Sequence, residues 1–207
     1  MGLKHQAASN RKLRAAIRQA IAHLPEHLPP LFFLTDPERT PDPVAVATRL
    51  PAGCGVIYRH FGAPDRAEIA LALADIAAER GLCLLIGADP ELAQAVGAHG
   101  VHWPEAQLGE ARHWRGTFAI NTVSAHSRRA ILRAQQAGMD AALVSPVFAS
   151  KSASAGMPIG AARFRELAQE ADMPLYALGG INADTAASVA EYAGLAAIEG
   201  VLAAFGS

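Results

Sequence analysis

Residues 118–148, FAINTVSAHSRRAILRAQQAGMDAALVSPVF, read as strand, helix, strand. The apolar run 118–123 leads into SRRAILRAQQA, and Gly138 closes that helix, glycine being the best residue for a left-handed C-cap. A second apolar run, 141–148, follows. Neither run alternates apolar with polar residues, the pattern of strands buried on both faces.

Outward from this unit the rhythm repeats. Apolar runs stand at 31–35 (LFFLT), 55–59 (GVIYR), 82–86 (LCLLI), 100–103 (GVHW), 174–181 (PLYALGGI) and 195–202 (LAAIEGVL). Each is too short for a buried helix and is flanked by Gly, Pro or Asp. Helix punctuation lies between them. Asp42-Pro43 and Asp89-Pro90 each offer an N-cap followed by proline at the first helical position. Asp65 with Glu68 reads as a capping box for a helix ending near Gly81. Asn182 reads as the cap of a segment that stops at Gly194. Eight strand–helix units predict an α/β fold, a compact (β/α)8 TIM barrel; a doubly wound open sheet is the alternative.

Composition sets the outer limits. The 207 residues are 51% hydrophobic and 18% charged, which excludes general disorder. Eighteen Lys+Arg against 19 Asp+Glu give a net charge of −1, so no general pull toward nucleic acid is expected. Two cysteines make no disulfide framework, and without a CxxC motif no cysteine-rich zinc site. Cys83 reads as a small core side chain and Cys54 as a loop residue. No apolar stretch is long enough to span a membrane, and the cytoplasm is the default location. One domain is expected, 1–207, with a helical extension at 1–28 and the barrel at 31–207. In the extension, Leu13, Ile17, Ile21 and Leu24 recur at helical spacing beside Lys4, Arg11, Lys12, Arg14 and Arg18. This predicts an amphipathic helix covering the bottom of the barrel.

In such a barrel the chemistry sits at the C-terminal strand ends. Gly179 and Gly180 end the seventh run and Gly200 lies near the end of the eighth. Glycines there let backbone N–H groups approach a phosphate, or simply make tight turns. Arg59 ends the second run, where it can clamp a phosphate or carboxylate or form a surface ion pair. His126 follows the fifth run, as a proton-transfer group or a capping residue. His102, inside the fourth run, reads as a packed, hydrogen-bonded side chain. It forms HxxH with His99, but no third zinc ligand accompanies them. The small, polar segment 149–158 reads as a lid or an ordinary loop. There is no dinucleotide fingerprint, Walker loop or GxSxG elbow.

Together these motifs resemble the thiamine phosphate synthase/TenI superfamily of (β/α)8 barrels. The resemblance runs from about Leu31 to the C-terminus. It is carried by LTD (34–36), Arg59, AVGAHGVHW (95–103), VSAHS (123–127), AGMDAALVSPVF (137–148), LGGIN (178–182) and GLAAIEGVLAA (194–204). It implies a site for a thiazole phosphate, with Arg59, Ser124 and Ser145 on the substrate and Gly179, Gly180 and Gly200 on the phosphate. In the synthase branch a pyrimidine pyrophosphate alkylates the thiazole nitrogen, releasing pyrophosphate, with carboxylates holding Mg²⁺. The TenI branch includes metal-free thiazole tautomerases, and His126 falls on the histidine that moves the proton there.

The chain departs from the synthase pattern at the metal end. The family's Asn-Asp becomes Gly87-Ala88, its second carboxylate falls near Gln107, with Glu105 the nearest acid, and its Gln-x-Arg-x-Lys becomes Ile57-Tyr58-Arg59-His60-Phe61. Its Pro-Thr-x-Thr-Lys becomes Ala149-Ser150-Lys151-Ser152-Ala153, and a phosphate-loop serine becomes Gly200. No metal ligand is assigned, and Mg²⁺ is expected only if synthase activity is retained. The expectation is a thiazole-phosphate barrel closer to a tautomerase. Its alternatives are an active synthase with a metal site rebuilt from Asp36, Asp89 or Glu105, and a non-catalytic phosphate-ligand binding or regulatory protein. The partner expected is a small phosphorylated thiazole or a related molecule, without nucleic acid or membrane; a homo-oligomer is compatible with the sequence.

Overall fold

The computed structural model describes residues 3–150 and 156–206. The strands are β1 (Leu31–Leu34), β2 (Gly55–Tyr58), β3 (Cys83–Gly87), β4 (Gly100–Trp103), β5 (Ile120–Ala125), β6 (Ala141–Val144), β7 (Leu175–Leu178) and β8 (Gly194–Ala197). Each pairs in parallel with the next, and β8 closes on β1 through Phe32 opposite Ala196. The sheet is therefore a closed eight-stranded barrel and not the open alternative. Around it run α1 (Leu3–Ile21), α2 (Pro43–Ala47), α3 (Arg66–Arg80), α4 (Pro90–Ala95), α5 (Leu108–Ala111), α6 (Arg128–Ala137), α7 (Gly160–Glu170), α8 (Ala187–Ala190) and α9 (Glu199–Phe205). Among the described residues no helix is long and apolar enough to cross a membrane.

Successive strand residues point to opposite faces. One face packs on the helices in a large apolar cluster that includes Phe33, Val56, Leu84, Val101 and Leu195. The other fills the barrel with Phe32, Leu34, Ile57, Leu85, Leu143 and Tyr176. At the N-terminal end of this interior the rings of Phe32 and Tyr176 lie 5.0 Å apart. They fit because glycines face them. A Cβ on Gly55 would fall 2.5 Å from the Phe32 ring, and one on Gly194 2.3 Å from the Tyr176 ring. Tyr176 Oη donates to the Pro29 carbonyl at 2.6 Å, so the deepest hydroxyl of this end has a partner.

Asp42 and Asp89 cap α2 and α4 as expected, accepting from the Ala45 and Leu92 N–H groups. Gly81 and Gly138 end α3 and α6 in the left-handed conformation. Asp65 differs. Its side chain caps nothing, because its φ of −93° and ψ of 12° lie outside the extended region from which a cap side chain folds back. Asn182 Oδ1 accepts from the Asp184 and Thr185 N–H groups, but the segment it opens is mostly turn; α8 is short, and Gly194 begins β8 instead of ending a helix.

The N-terminal helix is also placed differently from the expectation. It packs along the flank of the barrel against α8 and α9, with Leu13, Ala16, Ile17 and Ala20 buried and Ile21 exposed. The chain after it closes the bottom, Leu24 and Leu28 packing onto the interior cluster. Cys54 lies in a loop as expected, just before β2, and is buried there, while Cys83 is half-buried. Burial pushes both thiols up to about 12, which leaves them protonated at neutral pH.

Three strand ends matter for the site. β6 stops at Val144, before Pro146, which has no N–H for a ladder. β7 stops at Leu178, before Gly179 and Gly180, both with positive φ. β5 runs two residues further than the apolar run, so Ser124 is a strand residue facing the interior rather than part of a loop.

Candidate active site at the C-terminal end of the barrel

A cavity of about 640 Å³ opens at the C-terminal strand ends. Its wall includes Arg59, Ser124, His126, Ser145, Gly179, Gly180 and Gly200, and also Arg39, Asn182, Ile198 and Glu199. The remote strand ends are thus brought together in one space with Gly200, which the sequence placed near the end of the eighth strand but which lies in the first turn of α9, β8 stopping at Ala197.

Arg59 leaves β2 with its backbone N–H bonded to Thr35 Oγ1 at 2.8 Å. Its Nε is buried without a hydrogen-bond partner, and its guanidinium forms no ion pair among the described residues. Burial lowers its pKa from the usual arginine value, as does neighbouring Arg39, while Asp36 opposes the shift. Asp36 is already committed. It accepts from Arg39 Nη2 at 2.7 Å and from the Glu38 and Arg39 N–H groups at 3.2 and 3.0 Å. The Arg39 hydrogen bond holds its carboxyl down at about 2. Arg39, which the sequence reading missed, is therefore fixed on the cavity wall by its i,i+3 partner. The Asp36-x-x-Arg39 spacing was the available signal.

His126 lies just past β5 and is exposed to the cavity mouth. Its Nδ1–H donates to the Ser145 carbonyl at 2.9 Å, which leaves the lone pair on Nε2. His102 is buried, with Nδ1 2.9 Å from Thr122 Oγ1 and Nε2 3.0 Å from Ser124 Oγ. Burial, then the charge of Arg59, lowers its pKa to about 3, so it is neutral. His99 is turned away, Nδ1 accepting from the Leu84 N–H at 3.2 Å.

The glycines have structural reasons of their own. A Cβ on Gly179 would lie 2.9 Å from Pro146, one on Gly180 2.5 Å from the Ala149 carbonyl, and one on Gly200 2.2 Å from the Ile181 carbonyl. The strand-six loop lies directly on the end of β7, Val147 and Phe148 donating to the Leu178 and Gly179 carbonyls. Tight packing thus accounts for all three glycines, and the case for an anion rests on Arg59. Of the lid expected at 149–158, residues 151–155 lie outside the described residues.

The carboxylates do not fit a magnesium site. Asp89 caps Leu92 and pairs with Arg66 at 3.3 Å, Glu105 pairs with Arg133, and Asp36 serves Arg39. Glu199 faces the cavity, but Arg39 stands 4.0 Å from it and opposes a dication there. Among the described residues no three His, Cys, Asp or Glu side chains are grouped to hold a metal.

A family model described as thiamine monophosphate synthase, TMP-TENI, matches residues 31–201. The chain belongs to this family. A thiamine-phosphate synthase of Thioalkalivibrio sulfidiphilus is 35% identical over 137 residues, 64% of this chain and 65% of that protein. One from Synechococcus is 32% identical over 168 residues, 77% of this chain. The chain spans only 48% of the latter's length. Thiamine phosphate pyrophosphorylase from Pyrococcus furiosus has the same fold, with a TM-score of 0.74 at 26% identity over 86% of this chain and 89% of that one. This TMP-TENI barrel carries an arginine, Arg59, just past its second strand, and its described carboxylates at 36, 89 and 105 serve other partners.

Proposed function

We propose that this family member binds a phosphorylated thiazole precursor of thiamine and transfers a proton on it, as a TenI-like tautomerase, without a divalent metal. The supporting observation is the company the cavity keeps: an arginine with no ion-pair partner among the described residues shares one wall with a histidine whose Nδ1 is tied and whose Nε2 carries the lone pair. A cation without a counter-ion suits an anionic ligand group. Nε2 takes a proton from one carbon of a non-aromatic thiazole tautomer, the electron pair moves through the conjugated ring, and the imidazolium returns a proton at another carbon. The ring becomes aromatic and no leaving group departs. The Ser145 carbonyl keeps the imidazole oriented and stabilises the transient imidazolium.

The names of the relatives favour a second reading, condensation with a pyrimidine pyrophosphate in the presence of Mg²⁺. The first assay therefore supplies both condensation substrates and Mg²⁺ beside an active synthase control. Sustained thiamine phosphate formation overturns the tautomerase reading. With no product, tautomer conversion is followed by proton NMR. His126→Ala should slow it by about 10²- to 10⁴-fold, with ligand affinity nearly unchanged. Tight binding with no conversion by wild type or variant would mark a non-catalytic binding protein.

A further inference from the structure

His102 has no place in the mechanism above, yet both its ring nitrogens are engaged and it touches a cavity residue. We infer that His102 is a positioning residue that turns the Ser124 hydroxyl proton toward the ligand, through a chain in which Thr122 Oγ–H donates to Nδ1 and Nε2–H donates to Ser124 Oγ.

The chain is built by register. β4 and β5 pair with His102 beside Thr122, so the ring lies between the inward hydroxyls at 122 and 124. A neutral imidazole has one N–H, so only two polarities exist. Burial and the nearby Arg59 charge keep His102 neutral, so neither polarity is lost to protonation near pH 7.

Two arguments select the same polarity. Thr122 is fully buried, and His102 Nδ1 is its hydroxyl's partner among the described residues. If Nδ1–H donated to Thr122, the threonine proton would have no acceptor among the described residues, and a buried donor left without one is destabilising. Reversing the chain would also spend the Ser124 proton on Nε2 and present only lone pairs to the cavity. Beside Arg59, where an anionic ligand group is expected, lone pairs repel. This second argument rests on the anion reading proposed above; the first is independent of it.

The test uses the full-length protein labelled with ¹⁵N and inorganic phosphate as the probe. Long-range ¹H–¹⁵N spectra of wild type near pH 7 should show His102 as the Nε2–H tautomer with Nδ1 unprotonated. Phosphate should shift the Arg59 Nε–H resonance. His102→Leu should weaken phosphate binding about 3- to 10-fold, while His102→Gln, whose amide can supply an N–H to Ser124, should retain more affinity. In a Ser124→Ala background His102→Leu should have no further effect. An Nδ1–H tautomer overturns the assignment, and so does an additive loss in the double variant, which would mean that His102 acts through general structure. A phosphate titration that leaves Arg59 unmoved overturns the anion reading and the donor role with it, whichever tautomer is found.

Discussion

At the N-terminal end of the barrel interior, Phe32 and Tyr176 fill the space left by Gly55 and Gly194, and the Tyr176 hydroxyl has a carbonyl to bond. At the C-terminal end, Ser124 within β5 and Arg59 and Ser145 just past β2 and β6 line a cavity of about 640 Å³, and the arginine has no ion-pair partner among the described residues. One end is apolar, filled and satisfied. The other is polar, open and under-satisfied. The difference teaches where each end's free energy goes: the first into holding the barrel closed, the second into a ligand that brings the missing partners.

The sharpest way to break this division is Phe32→Ala. It removes a fully buried ring from the filled end and should cost about 3–5 kcal/mol of unfolding free energy. Urea titration measures it. Among molecules still folded, affinity for a thiazole phosphate should be unchanged. A matching loss of affinity would mean that the two ends are mechanically coupled.

His102 stands between the ends and links them to pH. Its folded-state pKa of about 3 lies below the usual histidine value near 6.5. Between those limits the unfolded chain binds a proton that the folded chain does not, so this residue makes stability fall as pH falls. The slope is at most about 1.4 kcal/mol per pH unit. His102→Gln should flatten the fall in stability between pH 6.5 and 4.5 relative to wild type. Parallel curves would show that the imidazole is not held neutral.

At the open end, Arg59→Ala should reverse the Phe32 result. Losing charge-assisted hydrogen bonds to the ligand should weaken thiazole phosphate binding by about 10- to 100-fold. The melting temperature should stay level or rise, because a partly desolvated cation without a counter-ion stabilises nothing in the free protein. A clear drop would show that Arg59 belongs with Phe32 among the residues that hold the fold.

The filled end was the more legible of the two. Apolar runs between Gly, Pro and Asp marked every strand, because a strand buried on both faces has little choice of composition. Boundaries slipped where local geometry overrode composition, at Pro146, at Gly179-Gly180 and at Ser124. The periodicity of α1 identified Leu13 and Ile17 as buried but also named Ile21, which is exposed, and it did not show what the helix packs against, so the helix was expected under the barrel instead of along α8 and α9. Arg59 and His126 were visible as strand-end residues of the right chemistry. Arg39 was not, since its place on the wall depends on Asp36 folding the loop. The Thr122–His102–Ser124 chain was invisible too, because it depends on the register between two strands.

The smallest predicted effect tests the polarity within the open end itself. Glu199 lines the cavity on the α9 side, half-exposed, with Arg39 Nη1 4.0 Å away. Its charge opposes an anionic ligand and also draws on Arg39, which would otherwise face that ligand undivided. Glu199→Gln removes both effects with little change of shape. Affinity for a thiazole phosphate should rise about 2- to 5-fold at low salt, and the gain should shrink as salt screens the half-exposed charge. Calorimetric titration at two ionic strengths measures both. A fall in affinity would mean that the carboxylate accepts a hydrogen bond from a ligand hydroxyl or ring N–H. The phosphate would then lie at Arg59, where the anion is proposed, with a neutral, hydrogen-bonding end of the ligand at Glu199.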